Sequence, residues 1–394
     1  MVKLGLSVEV GFPLTGLSLG SEEPETPILF NNIATRLSVA QLTLPPTMTI
    51  GRKPRVVSLG TPAFVGEKYI ARFQTEFDYS VLPATNREET QTLLPKDIEE
   101  NGPIDAFIIR MGTPPYEPFD EDLLKALAPG CKIITSASAG YNEFDVDWMA
   151  SQEIVFCNTV NAVAEATADM AMFLTLAVLR NTTNAEKSAR NGTWRKGANL
   201  VPTCDPSGLT LGIVGMGAIG KYLAKKAAVF NMKIKYYNRN QLPAAEEETY
   251  GATYCKSLHD LLHQADVVSL NCPLNAATTN LISTDEFAAM KNGVFLVNTA
   301  RGAVIDEEAL IAALESGKVQ RAGLDVFVNE PSPNPYFLQS DKIVVQPHLG
   351  GLTEKAFQKA ETECFENIRA FFATGKANSP VNDIKAKTQN GRAH

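Results

Sequence analysis

A glycine-rich loop between a strand-like run and a helix-like run restricts the fold of this 394-residue chain more than any other feature. The segment is Leu209 to Asn240, LTLGIVGMGAIGKYLAKKAAVFNMKIKYYNRN. After the loop, apolar residues recur at the spacing of one buried helical face, and a second strand, Ile234 to Tyr237, completes a βαβ unit. Glycines in such a loop permit a tight turn, close approach of the backbone to a pyrophosphate, and close helix–strand packing. The segment therefore predicts dinucleotide binding at the start of the helix, with contacts from Gly215, Gly217, Ala218, Ile219 and Gly220.

Length and composition describe a protein of about two domains, since 394 residues exceed the usual size of one. The formal net charge of −8 argues against a nucleic-acid-binding surface, which needs clustered Lys and Arg. The six cysteines show neither CxxC pairs nor close clusters, which favours reduced thiols in the cytoplasm over a disulfide framework. No uninterrupted apolar run reaches about 18 residues, so we predict no membrane span.

Residues 1–49 differ from the rest of the chain, because they lack clear periodicity and combine acidic residues with several prolines. We predict that they form a disordered extension. Acidic residues and the absence of a compact apolar core also argue against a targeting sequence.

From about residue 52 onward, strand-like and helix-like segments alternate, which predicts βαβ units and parallel sheets. The predicted fold is α/β with two Rossmann-like domains built on doubly wound parallel sheets, of which the substrate domain is flavodoxin-like. We expect this substrate-binding domain to comprise residues 50–160 and 350–385, because a helix from Lys355 to Phe372 would cross back onto it. The NAD(P)-binding domain then comprises residues 161–349. The predicted strands outside the βαβ unit are Val56 to Leu59, Ala106 to Ile109, Lys132 to Thr135, Ile154 to Phe156, Val267 to Leu270, Val294 to Val297, Ala322 to Leu324 and Ile343 to Val345.

A long helix is predicted from Val163 to Arg180, with few polar positions in its second half. An apolar helix of this kind must be buried on most sides. Two interpretations follow: the helix packs between subunits of a homodimer, or it belongs to the core of a single subunit.

Three side chains suited to acid–base chemistry follow strands of the second domain: Arg301, Glu330 and His348. Ligands of open α/β sheets collect at the carboxyl ends of the strands, so we expect these three to converge near the nicotinamide. The planar fork of an arginine binds a carboxylate bidentately, and a histidine exchanges its proton near neutral pH. A glutamate bonded to the other ring nitrogen would fix the tautomer and favour the protonated ring. The set predicts catalytic reduction of a 2-oxo acid.

The motifs resemble those of the D-isomer-specific 2-hydroxyacid dehydrogenases over about residues 55–385. Besides the glycine loop, they are Val297-Asn298-Thr299-Ala300-Arg301-Gly302, Gly323-Leu324-Asp325-Val326-Phe327 with Glu330-Pro331, and Pro347-His348-Leu349-Gly350-Gly351. The resemblance implies that Arg301 binds substrate, Glu330 tunes the histidine, and His348 is the acid/base. It also implies cofactor contacts from Thr167, Pro273, Thr299 and Asp325, the last to the nicotinamide amide, and substrate contacts from Met111, Gly112, Ala139 and Gly140.

A protein of this family is expected to reduce a small 2-oxo acid, such as glyoxylate or hydroxypyruvate, with NAD(P)H. One alternative is a D-mandelate dehydrogenase or another reductase of bulkier 2-oxo acids. An alternative of another class is a nucleotide-sensing binding protein, similar to the transcriptional corepressors that share this fold.

The residues after the second strand of the βαβ unit bear on the choice of cofactor. NAD-specific sites place Asp or Glu there to bind the ribose 2′-hydroxyl, whereas this chain has Asn238-Arg239-Asn240. An acid would repel a 2′-phosphate, while Arg239 can pair with one. The sequence therefore favours NADP(H) and leaves NAD(H) open.

Metal binding is not predicted. His259 and His263 lie four residues apart, as in some zinc helices, but no third ligand is evident nearby. We interpret both as surface histidines.

Overall fold

The computed structural model describes residues 52–197 and 203–382, and within them it contains two parallel sheets flanked by helices. The predicted extension, residues 1–49, lies outside the described residues. The α/β class with two Rossmann-like domains is confirmed. The residue limits predicted for the two domains stay a prediction.

The first sheet has the order β2-β1-β3-β4-β5, which is the flavodoxin-like order. Strands β1, β3 and β4 are buried along their whole length, while the edge strand β2 alternates between exposed and half-buried positions before its buried last residue, Leu82. The elements are β1 (Arg55–Leu59), α1 (Glu67–Glu76), β2 (Asp78–Leu82), α2 (Arg87–Asn101), β3 (Ala106–Ile109), α3 (Glu121–Leu124), β4 (Ile133–Ser136), α4 (Val146–Ser151) and β5 (Val155–Cys157).

The second sheet has the order β12-β11-β10-β9-β6-β7-β8, so the strand that precedes the glycine loop lies inside the sheet. Its elements are β6 (Thr210–Val214), α8 (Ala218–Val229), β7 (Lys233–Tyr237), α9 (Ala244–Tyr250), β8 (Ala252–Tyr254), α10 (Leu258–Leu262), β9 (Val267–Leu270), α11 (Thr284–Ala289), β10 (Val294–Asn298), α12 (Glu307–Glu315), β11 (Val319–Leu324), α13 (Pro335–Gln339) and β12 (Ile343–Val345). Strands β10, β11 and β12 are direct neighbours, so their carboxyl ends meet at one edge.

Two long helices connect the two sheets: α5 (Val160–Arg180) and α14 (Glu354–Thr374). Two short helices, α6 (Thr182–Arg190) and α7 (Trp194–Gly197), follow α5. Helix α5 packs on α8, on β10 and β11 of the second sheet, and on α14. Helix α14 returns to the first sheet, where it contacts β3 and β4 and contributes Phe365 and Ile368 to the core.

Helix α5 corrects the expectation that no segment is long and apolar enough to span a membrane. By length and composition α5 qualifies, because an 18-residue window tolerates the few polar side chains that interrupt its apolar run. However, 67% of that window is buried inside the protein. Core helices of soluble proteins meet the same criterion, so burial against α8 and the second sheet accounts for the apolar character of α5.

Sequence periodicity located most strands to within one or two residues and missed two. Strands β2 and β8 lie at edges of their sheets, where exposed positions interrupt the apolar pattern. The two long helices begin earlier than predicted: α5 starts at Val160 instead of Val163, and α14 starts at Glu354 instead of Lys355. A polar residue near each start, Asn161 in α5 and Glu354 in α14, interrupts the apolar pattern there.

Candidate active site

The glycine loop connects β6 to α8 and leaves room for a phosphate group. Gly215 has a φ of +99°, and a Cβ there would lie 2.8 Å from the backbone after β9. A Cβ on Gly220 would lie 2.5 Å from the carbonyl oxygen of Gly215. By contrast, a Cβ on Gly217, which precedes α8, would have no neighbour within 4 Å in the described part of the chain beyond the adjacent residues. The loop is packed on its inner side, while its outer side leaves the start of α8, with Ala218 and Ile219, open to an anion.

The side chain of Asn238 is turned toward this loop. Its Oδ1 accepts a hydrogen bond of 2.7 Å from the backbone N–H of Met216. The amide NH₂ is then the polar group that remains for a ribose or its substituent, and it is a donor. Arg239 and Asn240 follow and are exposed. No carboxylate in residues 52–197 or 203–382 forms an ion pair with Arg239, so its charge is free to meet an anion.

Arg301 follows β10 and reaches the loop after β4 of the first domain. Its Nε donates a hydrogen bond of 2.9 Å to Oδ1 of Asn142, and Nη1 donates one of 2.8 Å to the carbonyl of Ala300. Nη2 lies over Gly140, where any Cβ would overlap with the guanidinium. Arg301 therefore lies where the two domains meet, and an anion bound to it would contact both.

Glu330 and His348 are paired beyond the ends of β11 and β12. Nδ1 of His348 lies 2.7 Å from one carboxylate oxygen of Glu330, and the other oxygen accepts the backbone N–H of Phe327 at 2.9 Å. Burial raises the pKa of Glu330, but these hydrogen bonds and the charges of His348 and Arg301 outweigh it, so the pKa lies below its usual value. The ionised carboxylate holds a proton on Nδ1, which leaves Nε2 to exchange a proton with a ligand.

Asp325 holds the loop that carries His348. Its two carboxylate oxygens accept the backbone N–H groups of Leu349 and Gly350 at 2.7 and 2.8 Å, and its carbonyl accepts that of His348 at 2.8 Å. The residue is 1% exposed, and burial raises the pKa of its carboxyl despite the two hydrogen bonds. These contacts keep His348 at a φ of 57°, which few residues other than glycine adopt. Asp325 is thus a positioning residue, and its contact with the nicotinamide stays a prediction.

The other predicted cofactor residues lie around the same sheet edge. Thr167 of α5 is buried beside Gly350, 3.2 Å from the position of a Cβ there. The carbonyl of Pro273 accepts the hydroxyl of Thr278 at 2.6 Å. The hydroxyl of Thr299 is buried without a hydrogen-bond partner in the described part of the chain. Buried polar atoms normally have partners, so this orphaned hydroxyl and the open start of α8 fit a bound dinucleotide.

The predicted substrate residues follow β3 and β4 of the first domain. Of these, Gly140 is in direct contact with Arg301. The carbonyl of Ala139 accepts the side-chain amide of Asn158 at 2.7 Å, and that of Met111 accepts Arg110 at 3.1 Å. Substrate contacts by Met111, Gly112 and Ala139 stay predictions.

Arg301 is the side chain of this cleft best suited to bind an anion, because its charge is permanent. Burial raises the pKa of Glu143, which follows Asn142, and the charges of Arg301 and His348 only partly offset this. The carboxylate of Glu330 lies 2.7 Å from Nδ1 of His348, and neither Glu143 nor Glu330 forms an ion pair with Arg301 in the described part of the chain.

Sequence reasoning missed two asparagines that hold Arg301. Asn298 is 1% exposed; its amide donates to the carbonyl of Arg301 at 2.9 Å, and its oxygen accepts the N–H of Ala300 at 3.0 Å. A polar residue at the end of the buried run VFLVN was the available signal. No such signal existed for Asn142, because its contact with Arg301 depends on how the domains meet.

The two histidines at metal-like spacing, His259 and His263, are both exposed, as expected of surface histidines. His259 lies 3.3 Å from a carboxylate oxygen of Glu286 and is about half exposed. Within residues 52–197 and 203–382, no cluster of three or more His, Cys, Asp or Glu side chains is arranged to hold a metal ion.

Comparisons with known proteins agree with this geometry. The family model described as D-isomer specific 2-hydroxyacid dehydrogenase, NAD binding domain, matches residues 172–350. The dehydrogenase efuE of Hormonema carpetanum is 54% identical over 379 residues, which cover 96% of this chain and 94% of that protein. A glyoxylate reductase from Paecilomyes thermophila superposes with a TM-score of 0.78 at 36% identity, covering 84% of this chain and 99% of that one. The holo form of D-mandelate dehydrogenase from Rhodotorula graminis does so with a TM-score of 0.79 at 33% identity, covering 85% and 99%. The chain therefore belongs to the D-isomer-specific 2-hydroxyacid dehydrogenases, which are NAD(P)-dependent oxidoreductases.

Proposed function

We propose that this dehydrogenase uses NADPH to reduce a 2-oxo acid to the D-2-hydroxy acid, with Arg301 holding the substrate carboxylate and His348 donating the proton. One observation carries the proposal: the 2.7 Å pair of His348 and Glu330 lies at the same sheet edge as Arg301, whose charge acts on Glu330. A proton donor and a carboxylate anchor thus lie at one cleft between the domains.

The chemistry needs three contributions at the substrate. When bound, the reduced nicotinamide supplies a hydride to the carbonyl carbon. Arg301, fixed by Asn142 and by the carbonyl of Ala300, binds the carboxylate and orients the carbonyl group. Nε2 of His348 donates its proton to the carbonyl oxygen as that oxygen gains negative charge. The carboxylate of Glu330, 2.7 Å from Nδ1, orients the ring for this transfer.

The preference for NADPH rests on the residues after β7. The side-chain oxygen of Asn238 accepts the N–H of Met216, which leaves the NH₂ group of Asn238 as a donor. Arg239 is exposed and forms no ion pair in the described part of the chain. A 2′-phosphate would pair with both, whereas a 2′-hydroxyl finds no carboxylate there. We expect kcat/KM to be higher with NADPH than with NADH.

A spectrophotometric assay tests the proposal. Purified protein is given NADPH or NADH with a panel of 2-oxo acids, and oxidation of the cofactor is followed. His348→Ala should lower kcat by about 10²- to 10⁴-fold while cofactor binding persists. Unchanged turnover in the variant would remove His348 from its role. Cofactor binding without turnover of any acid in the wild type would instead favour the nucleotide-sensing alternative.

The preferred acid is proposed as glyoxylate or hydroxypyruvate, in line with the similarity to a glyoxylate reductase. Bulkier acids are the second candidate, because the likeness to D-mandelate dehydrogenase is equally close by TM-score. Comparing kcat/KM for glyoxylate and phenylglyoxylate separates the two.

We also propose that the protein is a homodimer. Burial of α5 within the subunit means that its apolar character alone does not demand a partner. Nevertheless, three aromatic side chains remain exposed on the neighbouring helices α5 and α8. They are Phe173 of α5, which is 49% exposed, Tyr222 of α8, which is 38% exposed, and Phe230 directly after α8, which is 38% exposed. A second copy that covers these side chains would remove them from water. Light scattering coupled to size-exclusion chromatography measures the mass directly, and a monomer would refute the proposal.

A further inference from the structure

The loop between β1 and α1, residues 60–66, lies at the carboxyl end of β1 in the first sheet. In the order β2-β1-β3-β4-β5, the chain leaves β1 toward one side of the sheet and β3 toward the other. Ligands of open α/β sheets bind where connections diverge in this way. The side chain of Arg110, at the end of β3, lies over Gly60 at the start of the loop. The loop therefore adjoins the segment of the predicted substrate contacts Met111 and Gly112.

A single buried carboxylate fixes the backbone of this loop. Glu361 of α14 is 3% exposed and accepts the backbone N–H groups of Ala63, Phe64 and Val65 at 2.9, 2.6 and 3.0 Å. Three hydrogen bonds to one charged group leave three successive backbone positions little freedom. The loop begins and ends at Gly60 and Gly66, whose φ values of 78° and 77° suit glycine. Glu361 thus holds the backbone that carries the side chain of Phe64.

Phe64 meets an aromatic side chain from the helix that follows the His348 loop. Its ring packs edge-on against Phe357 of α14, with 5.1 Å between the ring centroids. Helix α14 begins at Glu354, only six residues after His348. Both rings are only half-buried, so apolar surface remains for a further contact. The contact between the two rings links the loop after β1 of the first sheet to helix α14, which follows the His348 loop of the second sheet.

We infer that Phe64 and Phe357 form an apolar wall for the side chain of the substrate, and that Glu361 is the positioning residue for this wall. The inference rests on the proposed reduction of a 2-oxo acid and concerns its second candidate class, the acids with a bulkier side chain. Arg301 lies against Gly140 and Asn142 of the first domain, so an acid whose carboxylate it holds lies beside the domain that carries Phe64. Acids with a branched or aromatic apolar side chain fill the space against two aromatic rings, whereas glyoxylate has no side chain to place there.

The test measures kcat/KM with NADPH for glyoxylate, 4-methyl-2-oxopentanoate and phenylglyoxylate. The wild type should reduce all three. Phe64→Ala should lower kcat/KM by about tenfold or more for the two larger acids and leave glyoxylate within about twofold. Phe64→Leu, which keeps most of the apolar contact, should lie between the wild type and the alanine variant. Glu361→Gln offers one carbonyl oxygen to three N–H groups and should shift selectivity in the same direction, mainly through KM.

The matched control is Phe372→Ala. Phe372 packs on Phe77, with 5.8 Å between the ring centroids, so this variant also loses an aromatic contact between α14 and the first domain. The lost contact lies 15 residues, or about 22 Å, farther along α14 than Phe357. It should leave the ratio between the three acids unchanged.

The inferred wall would be refuted if Phe64→Ala lowered kcat/KM equally for all three acids. It would also be refuted if the wild type reduced glyoxylate and neither larger acid. A wild type that reduces no 2-oxo acid at all would refute the proposed function and, with it, the inference about Phe64 and Phe357.

Discussion

Replacing Glu330 by Gln tests the link between geometry and proton donation most directly. The substitution keeps the size of the side chain and removes its charge. In the wild type, one carboxylate oxygen accepts the N–H of Phe327 and the other lies 2.7 Å from Nδ1 of His348. If the amide oxygen of the glutamine keeps the bond to Phe327, its NH₂ group faces Nδ1. A donor then opposes the proton of a charged imidazole ring, so the protonated form is disfavoured.

The size of the effect follows from the distance and the exposure of the pair. At 2.7 Å, two unit charges attract by roughly 1.5 kcal/mol in the dielectric of water and by roughly 6 kcal/mol at an effective dielectric of 20. The side chains of His348 and Glu330 are 44% and 36% exposed, so solvent screening places the value toward the lower limit. A loss of about 1.5 to 3 kcal/mol corresponds to a roughly 10- to 100-fold lower kcat/KM for reduction.

The assay is the pH profile of kcat/KM in both directions. Reduction takes a proton from the ring, and Glu330→Gln removes the opposite charge beside that ring, so the loss in kcat/KM for reduction should grow toward alkaline pH. Oxidation of the hydroxy acid needs the neutral ring and should lose less. Glu307→Gln is the matched control, because Glu307 accepts the N–H of Val328 at 3.1 Å in the same segment without contacting His348. Equal losses in both directions with an unmoved pH profile would refute electrostatic support by Glu330 and leave it a structural role.

Two further substitutions probe the cofactor and the histidine loop. Arg239→Glu places a carboxylate where the 2′-phosphate is expected. The ratio of kcat/KM for NADPH to that for NADH should therefore fall by at least about tenfold. An unchanged ratio would show that Arg239 does not contact the cofactor. In Asp325→Asn, the backbone N–H of Leu349 or Gly350 faces the amide donor of the asparagine, which costs about 1–3 kcal/mol. This variant should therefore have a lower kcat and a lower unfolding temperature. Its affinity for NADPH, measured by fluorescence titration, should change little. Loss of NADPH binding with normal stability would instead point to direct cofactor contact by Asp325.

Much of the site could be predicted from the sequence because its chemistry is local to strand ends. Arg301, Glu330 and His348 follow β10, β11 and β12, which are neighbours in both sequence and space. In a parallel sheet, neighbouring strands end at the same edge, so order along the chain gives proximity in the fold. The glycine loop is readable for a similar reason, since its strand, turn and helix are consecutive. Edge strands β2 and β8 escaped detection because solvent exposure weakens the apolar pattern that reveals strands.

The contacts that sequence patterns did not reveal are those that join distant parts of the chain. Arg301 meets Asn142 across 159 positions, and Glu361 holds Phe64 across 297. Neither partner has a local pattern that predicts the other, because both contacts depend on how α14 and the two sheets pack. The catalytic groups belong to one sheet edge, whereas the orientation of Arg301 and the wall of Phe64 depend on separate elements being held together. A substitution at Phe64 or Glu361 should therefore alter which acid is reduced before it alters whether reduction occurs, whereas a substitution at Asn142 disturbs the carboxylate anchor that every 2-oxo acid shares.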